Sequence, residues 1–237
     1  MVKYNAYPLG RIPKEYLRPE LEAVKEYYDY DDARELVDIF EREVAYFAGA
    51  KYAVATDCCT HAIELSLRLK AELGEIAQGD TVIIPEYTYV SLPMTIAKLG
   101  MKFKFSDLKW EGLYKLDAPG ITTVVDGAVR WRKDMYIYGT LHCLSFQIKK
   151  RIPIGRGGMI LTDNKDYWEW LKLASYDGRD LNVSYVDKNH IKTYGYHYYM
   201  TPEDAARGLI LMKKIKEEGD TGFWNNYPNL REWLKEL

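Results

Sequence analysis

The sequence lacks any long uninterrupted apolar run, and its first residues, MVKYNAYPLGR, contain no hydrophobic core of signal-peptide length. We therefore expect neither a membrane span nor secretion, and we predict a cytoplasmic protein. Cysteine is scarce too, with 3 residues in a chain of 237. An odd, small number of cysteines predicts reduced thiols and argues against a disulfide framework.

An excess of charge of one sign is also missing, because 33 Lys+Arg against 35 Asp+Glu leave a formal net charge of -2. Such a balance gives no general attraction to nucleic acid or to anionic lipid, so neither partner is indicated. The length suits one large domain, or one domain with a short appendage. The hydrophobic fraction of 47% and the charged fraction of 29% are typical of a globular protein.

Nucleotide-binding and zinc-binding motifs are absent as well. The glycine-rich turn at 155–158 (GRGG) matches neither the P-loop nor G-x-G-x-x-G. Possible metal ligands form two clusters, namely Cys58, Cys59, His61, His142 and Cys143. No C-x-x-C pair occurs among them, and adjacent cysteines seldom share one tetrahedral ion, so we expect no metal site.

Short apolar runs alternate with amphipathic segments along the chain. Helical spacing is present at 31–48, 60–73 and 91–99, and a strongly capped helix begins at Thr201 and is expected to end near Glu218. The predicted strands are 51–56, 81–86, 102–107, 121–127, 141–146 and 158–164. Several of them lack polar alternation, as expected for strands covered on both faces. The pattern predicts one α/β domain.

Four features lie where predicted strands end, which is where open α/β sheets hold ligands. The turn 56–60 (TDCCT) either presents free N–H groups to a phosphate or simply begins a capped helix. Asp126 could bond a protonated ring nitrogen or cap a turn, and Lys150 could be a buried nucleophile or a surface lysine. Tyr87 and Tyr89 could stack on a flat ring or pack in the core.

The serial order of these features resembles one family, the DegT/StrS-type sugar aminotransferases. The segment GDTVIIPEYTYVSLPMTIAKLGMKFKFSDL (79–108) resembles the family's G-D-x-V-I-x-P-x-x-T-[FWY] block, and SFQIKKRIPIGRGGMILTDN (145–164) resembles its S-F-x-x-x-K-x-[IL]-x-x-G-x-G-G block. Residues 40–56 are similar to the family's entry helix and first strand, and 195–215 to its late G-Y-N-x-R-M block. The resemblance extends from about Pro19 to about Ile215.

The resemblance implies the large domain of the fold-type-I pyridoxal-phosphate enzymes, an α/β fold with a mostly parallel central sheet flanked by helices. It implies an N-terminal arm and helix over 1–30 and a cofactor-binding domain over 31–218. A short C-terminal tail over 219–237 would follow, with the family's small domain absent. It also implies pyridoxal 5'-phosphate as the cofactor and a homodimer with a shared active site.

Site residues can be carried over position by position. Lys150 stands where the family has the lysine that binds the cofactor covalently. Ser145 would bond the cofactor phosphate together with the turn at Cys59 and Thr60. Asp126 would pair with the pyridine nitrogen. Lys150 and Asp126 are therefore the expected catalytic residues.

Two further cofactor contacts follow from the resemblance, and so do several departures from the family pattern. Tyr89 would stack on the cofactor ring, and His197 would contact the cofactor from the late block, which in relatives reaches across the subunit boundary. His197 and Tyr199 replace an asparagine and an arginine of that block. Val129 replaces a glutamine near the cofactor, and Arg156 replaces an acidic residue.

The predicted activity is amino transfer between an amino acid and a keto acceptor such as a keto-sugar. Two alternatives stay open. One is another pyridoxal reaction at Cα, decarboxylation or elimination, on an amino acid that is free or attached to a large carrier. The other is a binding or scaffold protein that keeps the fold without the chemistry.

Overall fold

The computed structural model of the chain describes residues 18–118, 123–184 and 186–234. The expected arm over 1–17, two residues of the predicted strand 121–127 and the last three residues of the expected tail lie outside the described residues. The helices are α1 (Pro19–Ala23), α2 (Glu35–Ala48), α3 (Cys59–Glu72), α4 (Ser91–Lys98), α5 (Lys165–Ser175), α6 (Pro202–Lys214) and α7 (Leu230–Trp233). The strands are β1 (Tyr52–Thr56), β2 (Thr81–Pro85), β3 (Lys102–Ser106), β4 (Tyr114–Lys115), β5 (Val124–Asp126), β6 (Leu141–Ser145) and β7 (Gly158–Thr162).

The central sheet has the strand order β1-β7-β6-β5-β4, and β2 and β3 form a parallel pair beside it. Ile83 of β2 forms an antiparallel bridge with Asp117, just beyond β4, and so connects the pair to the sheet. The expectation of a mostly parallel sheet was wrong. The strand β7 runs antiparallel to β1 and β6, and β4 runs antiparallel to β5, so the sheet is mixed. The reason is that β6 leads into β7 through a loop without a crossover helix, which parallel neighbours normally need.

Both faces of the sheet are covered by helices, which confirms the α/β prediction. In β1, Val54 faces one buried cluster with α3 and α4, whereas Ala53 and Ala55 face a second cluster with α2 and α6. Helix α6 approaches α2 closely at Gly208, where a Cβ atom would lie 2.6 Å from the Phe40 ring. Burial on both faces explains why the sequences of central strands such as β6 and β7 show no polar alternation.

Several boundaries differ from the sequence-based expectation. Helix α2 begins at Glu35 and not at Asp31, and α6 ends at Lys214 and not near Glu218. Helix α5 was not predicted, although Asn164 caps it by accepting two backbone N–H bonds. Among the described residues, no helix is both long and apolar enough to span a bilayer.

One buried residue of β6 makes stability depend on pH. His142 is 0% exposed, and neither of its ring nitrogens has a hydrogen-bond partner among the described residues. The ring lies against Gly127, where a Cβ atom would be 2.2 Å from Nε2. Burial lowers the pKa of His142 to about 4, with the nearby Arg130 charge acting in the same direction.

We predict that acid destabilises the protein through His142. An unfolded histidine has a pKa of about 6.5. As the pH falls from that value to about 4, the unfolded state binds a proton that the folded state does not bind, so the free energy of unfolding falls by roughly 3 kcal/mol. His142→Leu should remove this part of the pH dependence in urea unfolding measured at pH 7 and at pH 4.5. The same substitution at His190, which is not fully buried, should leave it in place. An unchanged pH dependence in His142→Leu would contradict the prediction.

Candidate active site

A cavity of about 470 Å³ lies where β1, β5 and β6 end. Three features meet at this edge of the sheet: the N-terminus of α3, the Asp126 carboxylate at the end of β5, and the loop 146–157. Six of the seven residues predicted from the sequence line it, namely Cys59, Thr60, Tyr89, Asp126, Ser145 and Lys150. Residues that are up to 91 positions apart in the sequence therefore meet at one sheet edge.

Asp126 is a buried carboxylate held by two donors. The Tyr114 hydroxyl donates to Oδ2 at 2.5 Å, and the Ala128 N–H donates to Oδ1 at 2.9 Å. The Tyr114 hydroxyl is also bonded to Thr88 Oγ1 at 2.5 Å. Burial raises the pKa of Asp126, and the two hydrogen bonds and the charge of Lys150 oppose that rise. A cationic partner in the cavity would therefore be held by a dry, oriented carboxylate.

Lys150 lies on the loop between β6 and β7. Buried Phe146 anchors this loop through paired backbone bonds with Gly155 and Gly157, and the Lys150 N–H donates to the Gln147 carbonyl at 2.8 Å. Burial lowers the pKa of the Lys150 amine, while the acidic groups of Cys59 and Asp126 act in the opposite direction. A lowered pKa increases the fraction of neutral amine, which is the nucleophilic form.

Its neighbour Lys149 also reaches the cavity, but Lys149 is exposed whereas Lys150 is partly buried. The Lys149 backbone N–H donates to the Gln147 side chain at 2.9 Å, which fixes the turn. The two lysines therefore differ in environment, and burial lowers the pKa of the Lys150 amine.

The turn before α3 is packed against β7. Cys58 caps the helix, and its sulfur accepts the His61 N–H. A Cβ atom on Gly158 would lie 2.4 Å from the Cys58 carbonyl carbon, so the two backbones are in direct contact. Thr60 Oγ1 is bonded to Ser91 Oγ at 2.8 Å. The first residues of a 14-residue helix thus line the cavity, where the helix N-terminus and its dipole favour an anion.

The tyrosines of the block 79–108 have separate environments. Tyr89 is 61% exposed at the mouth of the cavity, with its ring available to a flat ligand. Tyr87 packs edge-on against Trp224 at 5.1 Å and does not line the cavity. Thr88 between them is buried and supports Tyr114.

His197 is the one predicted site residue that the structure does not bring to the cavity within this chain. Its side chain is exposed, and Nδ1 lies 3.1 Å from Asp177 Oδ2. The ring packs edge-on against Tyr199 at 4.7 Å. Its predicted contact with a cofactor would have to be made to a second subunit.

Sequence reasoning missed several cavity residues. Tyr114 lies on the two-residue strand β4, which is too short to give a periodic signal. The segment after α6 was treated as a short tail, yet it contributes residues to the cavity wall, namely Thr221, Gly222, Asn226 and Tyr227. Its aromatic residues were the only available signal, and aromatics alone do not say where a segment packs.

A second cluster lies at the rim, beside the turn before α3. Asp57 is 2.5 Å from His61 Nδ1 and accepts a hydrogen bond from Arg156 Nη2 at 2.7 Å. Burial by itself would lower the pKa of His61, but its bonds with Asp57 and Cys58 prevail and raise the pKa to about 9. The potential ligand atoms of Asp57, Cys58 and His61 lie within 4.8 Å of one another. A protonated imidazole and a guanidinium-paired carboxylate are nevertheless poor cation ligands.

These features fit pyridoxal phosphate. The cavity offers a dry carboxylate for a protonated ring nitrogen and a helix N-terminus for a phosphate, with a partly desolvated amine for an aldehyde. The volume of about 470 Å³ is within the range of small-molecule sites. The fold and the site together define a fold-type-I α/β domain with a cofactor-sized cavity at the sheet edge.

The sequence model of the DegT/DnrJ/EryC1/StrS aminotransferase family matches residues 17–130 and 118–221. The chain belongs to this family. The solved structure of 3-amino-5-hydroxybenzoic acid synthase superimposes with a TM-score of 0.62 at 20% identity, covering 79% of this chain and 62% of that one. The fold-type-I prediction is thereby confirmed.

Curated relatives are more similar in sequence. GDP-perosamine synthase from Vibrio cholerae is 31% identical over 223 residues, covering 76% of this chain and 57% of the relative. Spore coat polysaccharide biosynthesis protein SpsC from Bacillus subtilis (strain 168) is 27% identical over 230 residues, covering 76% of this chain and 57% of the relative. The chain thus spans somewhat over half the length of these relatives.

We predict that the rim cluster of Asp57, Cys58 and His61 binds no stoichiometric zinc. The reason is that Arg156 and the protonated His61 already neutralise Asp57. Elemental analysis of protein purified without added metal should find well under one zinc per chain, and a chelator should leave the Tm unchanged. Equimolar zinc that is lost in Cys58→Ser would contradict the prediction.

Proposed function

We propose that this chain binds pyridoxal 5'-phosphate through Lys150 and transfers an amino group between an amino acid and a keto acceptor such as a keto-sugar. The observation that carries the proposal is the meeting of Lys150, Asp126 and the N-terminus of α3 in one cavity. Family membership supports amino transfer, and the similarity to GDP-perosamine synthase supports a nucleotide-linked sugar as the product.

When bound, pyridoxal phosphate supplies an electron sink that stabilises negative charge at the substrate Cα. Asp126 keeps that sink effective by holding the ring nitrogen protonated. Tyr114 and the Ala128 N–H both donate to this carboxylate, which orients it and favours its ionised form. Burial strengthens the ion pair because little water competes for either charge.

Lys150 has two roles, as the covalent attachment point and as the base. With the cofactor and a substrate amine bound, the freed Lys150 amine would be the group that takes up and returns a proton at the substrate Cα. Its lowered pKa suits both tasks, because a neutral amine is needed for attack and for proton abstraction. The loop anchored by Phe146 keeps the amine within the cavity.

The phosphate end is assigned to Ser145 and to the backbone and side chains at Cys59 and Thr60. Burial raises the pKa of the Cys59 thiol well above its usual range, so this residue stays neutral beside an anion. Tyr89 is assigned to the ring face, where an exposed phenol can cover a flat ligand.

The working unit is proposed to be a cytoplasmic homodimer with a shared site that takes a small-molecule or carrier-attached substrate. Support comes from His197, which is exposed in its own chain, and from Tyr194, which is 93% exposed nearby. Large exposed rings with polar tips suit a subunit boundary better than open solvent.

We predict that Lys150 carries the cofactor. Borohydride treatment of protein incubated with pyridoxal phosphate should fix it to the peptide that contains Lys150. Lys150→Ala should abolish this label, and Lys149→Ala should retain it, because Lys149 lies at the exposed edge of the same loop. A label on Lys149, or none on wild-type protein, would overturn the assignment.

Reaction with amino donors then separates the candidate activities. A screen of amino acids for those that shift the absorbance of the loaded protein, followed by product analysis, should give the keto acid from the donor. Release of carbon dioxide or of an eliminated group would support decarboxylation or elimination. Absence of any spectral change would support a scaffold role.

We predict that His197 acts on the partner's site. Lys150→Ala and His197→Ala subunits should each be inactive alone, and their mixture should recover activity, because one site of the mixed dimer has both residues intact. Mixing Lys150→Ala with Asp126→Ala is the matched control and should recover none, since both residues line one cavity within a chain. Light scattering that gives the mass of a single active chain would overturn the dimer.

A further inference from the structure

Residues 219–234, called here the C-terminal segment, cross the sheet edge where the cavity opens. Its backbone is hydrogen-bonded to three separate parts of the chain. The N–H groups of Gly219, Thr221, Trp224 and Leu230 donate to the carbonyls of Trp131, Val129, Trp110 and Glu86, at 2.7 to 3.1 Å. The segment thus runs from the loop after β5 to the end of β2, along the rim of the site.

A buried carboxylate anchors the start of this segment. The Asp220 side chain is 5% exposed and accepts a hydrogen bond from Arg132 Nη2 at 2.9 Å, with Arg130 close by. Gly112 lies directly against this carboxylate. A Cβ atom at that position would be 2.2 Å from Asp220 Oδ2, so only glycine fits there without a clash. Removing such a buried, charge-assisted contact would leave charges unpaired, so the segment is firmly held.

The far part of the segment is held by aromatic contacts. Trp224 packs edge-on against Tyr87 at 5.1 Å, and the Lys109 ammonium lies 3.9 Å from the Trp224 ring. Tyr227 packs against Trp110 at 5.5 Å. Fully buried Leu230 fixes the end of the segment. The contacts of Trp224, Tyr227 and Leu230 thus fix the position of the Tyr227 ring.

Tyr227 is one of the residues that line the cavity. Within the described residues, no side chain or backbone group is hydrogen-bonded to its hydroxyl. Burial raises the pKa of Tyr227 to about 12, with Asp126, Cys59 and Tyr89 contributing in the same direction. The phenol therefore keeps its proton at neutral pH and can donate a hydrogen bond.

We propose that the C-terminal segment is a wall of the active site and that the Tyr227 hydroxyl positions the substrate by donating a hydrogen bond to one of its oxygen atoms. This inference rests on the proposed function. The groups assigned to the cofactor lie on strand ends, on the loop 146–157, at the start of α3 and at Tyr89, so the polar groups of the C-terminal segment have no assigned role with the cofactor and are available to a substrate. The wall also removes water from the side of the cavity next to Asp126, which strengthens the charge interactions there.

The hydroxyl is tested by Tyr227→Phe in protein loaded with pyridoxal phosphate. The probe is L-glutamate, or the amino acid that shifts the absorbance most in the screen. The donor concentration that gives half of the spectral change should rise roughly three- to tenfold, as expected for one lost hydrogen bond. The dissociation constant of pyridoxal phosphate should change by less than about twofold, because the substrate and not the cofactor accepts the bond.

The matched control is Tyr138→Phe, because Tyr138 is 81% exposed and does not line the cavity. It should leave both constants unchanged. An unchanged donor concentration in Tyr227→Phe would overturn the inference. An equal loss of pyridoxal phosphate affinity would overturn it too, since Tyr227 would then face the cofactor. Wild-type protein that binds no cofactor at Lys150 would instead defeat the proposed function.

The wall is tested separately by Gly112→Ala, whose methyl group would displace Asp220. Hydrogen exchange at the N–H groups of Thr221 and Trp224 should become about tenfold faster. The donor concentration that gives half of the spectral change should rise as well. Gly139→Ala is the control, because Gly139 has a similar positive φ, +76° against +70°, but nothing lies within 4 Å of its Cβ position. Faster exchange without any change in donor concentration would show that the segment is no part of the site.

Discussion

Burial of the Asp126 carboxylate is the constraint on which the rest of the site depends. A carboxylate in a dry place is costly unless donors and a cation compensate it. The chain provides Tyr114 and the Ala128 N–H as donors, and Thr88 fixes the Tyr114 hydroxyl. In the proposed function the cationic ring nitrogen of the cofactor would offset the remaining cost, so burial of Asp126 would favour binding of that cofactor.

The departures from the family pattern are compatible with this arrangement. Gly158 lets β7 contact the turn before α3 directly, and the Cys59 thiol of that turn remains neutral because burial raises its pKa. Arg156 stands where the family has an acidic residue and pairs with Asp57 at the rim. The Arg156 guanidinium is therefore paired with the Asp57 carboxylate. That carboxylate also raises the pKa of His61, so His61 stays protonated.

The C-terminal segment contributes to the wall of the cavity. Sequence reasoning separated residues 219–237 from the cofactor domain, yet the described part of this segment is held by buried Asp220 and Leu230 and faces the ligand space. Exclusion of water near Asp126 is therefore partly a property of the chain itself. A subunit partner, which the proposal also requires, would complete the enclosure from the side of Tyr89.

The sequence by itself determined most of the α/β elements and six residues of one cavity, because helical periodicity, caps and the serial motifs around Lys150 are local signals. It did not determine strand direction, since a buried β7 has the same composition whether it runs parallel or antiparallel to its neighbours. Only the tertiary structure brought Tyr114 and Tyr227 to the cavity of Asp126. Tyr114 donates to the carboxylate from 12 positions earlier in the chain, Tyr227 lines the same cavity from 101 positions later, and no local pattern encodes either meeting.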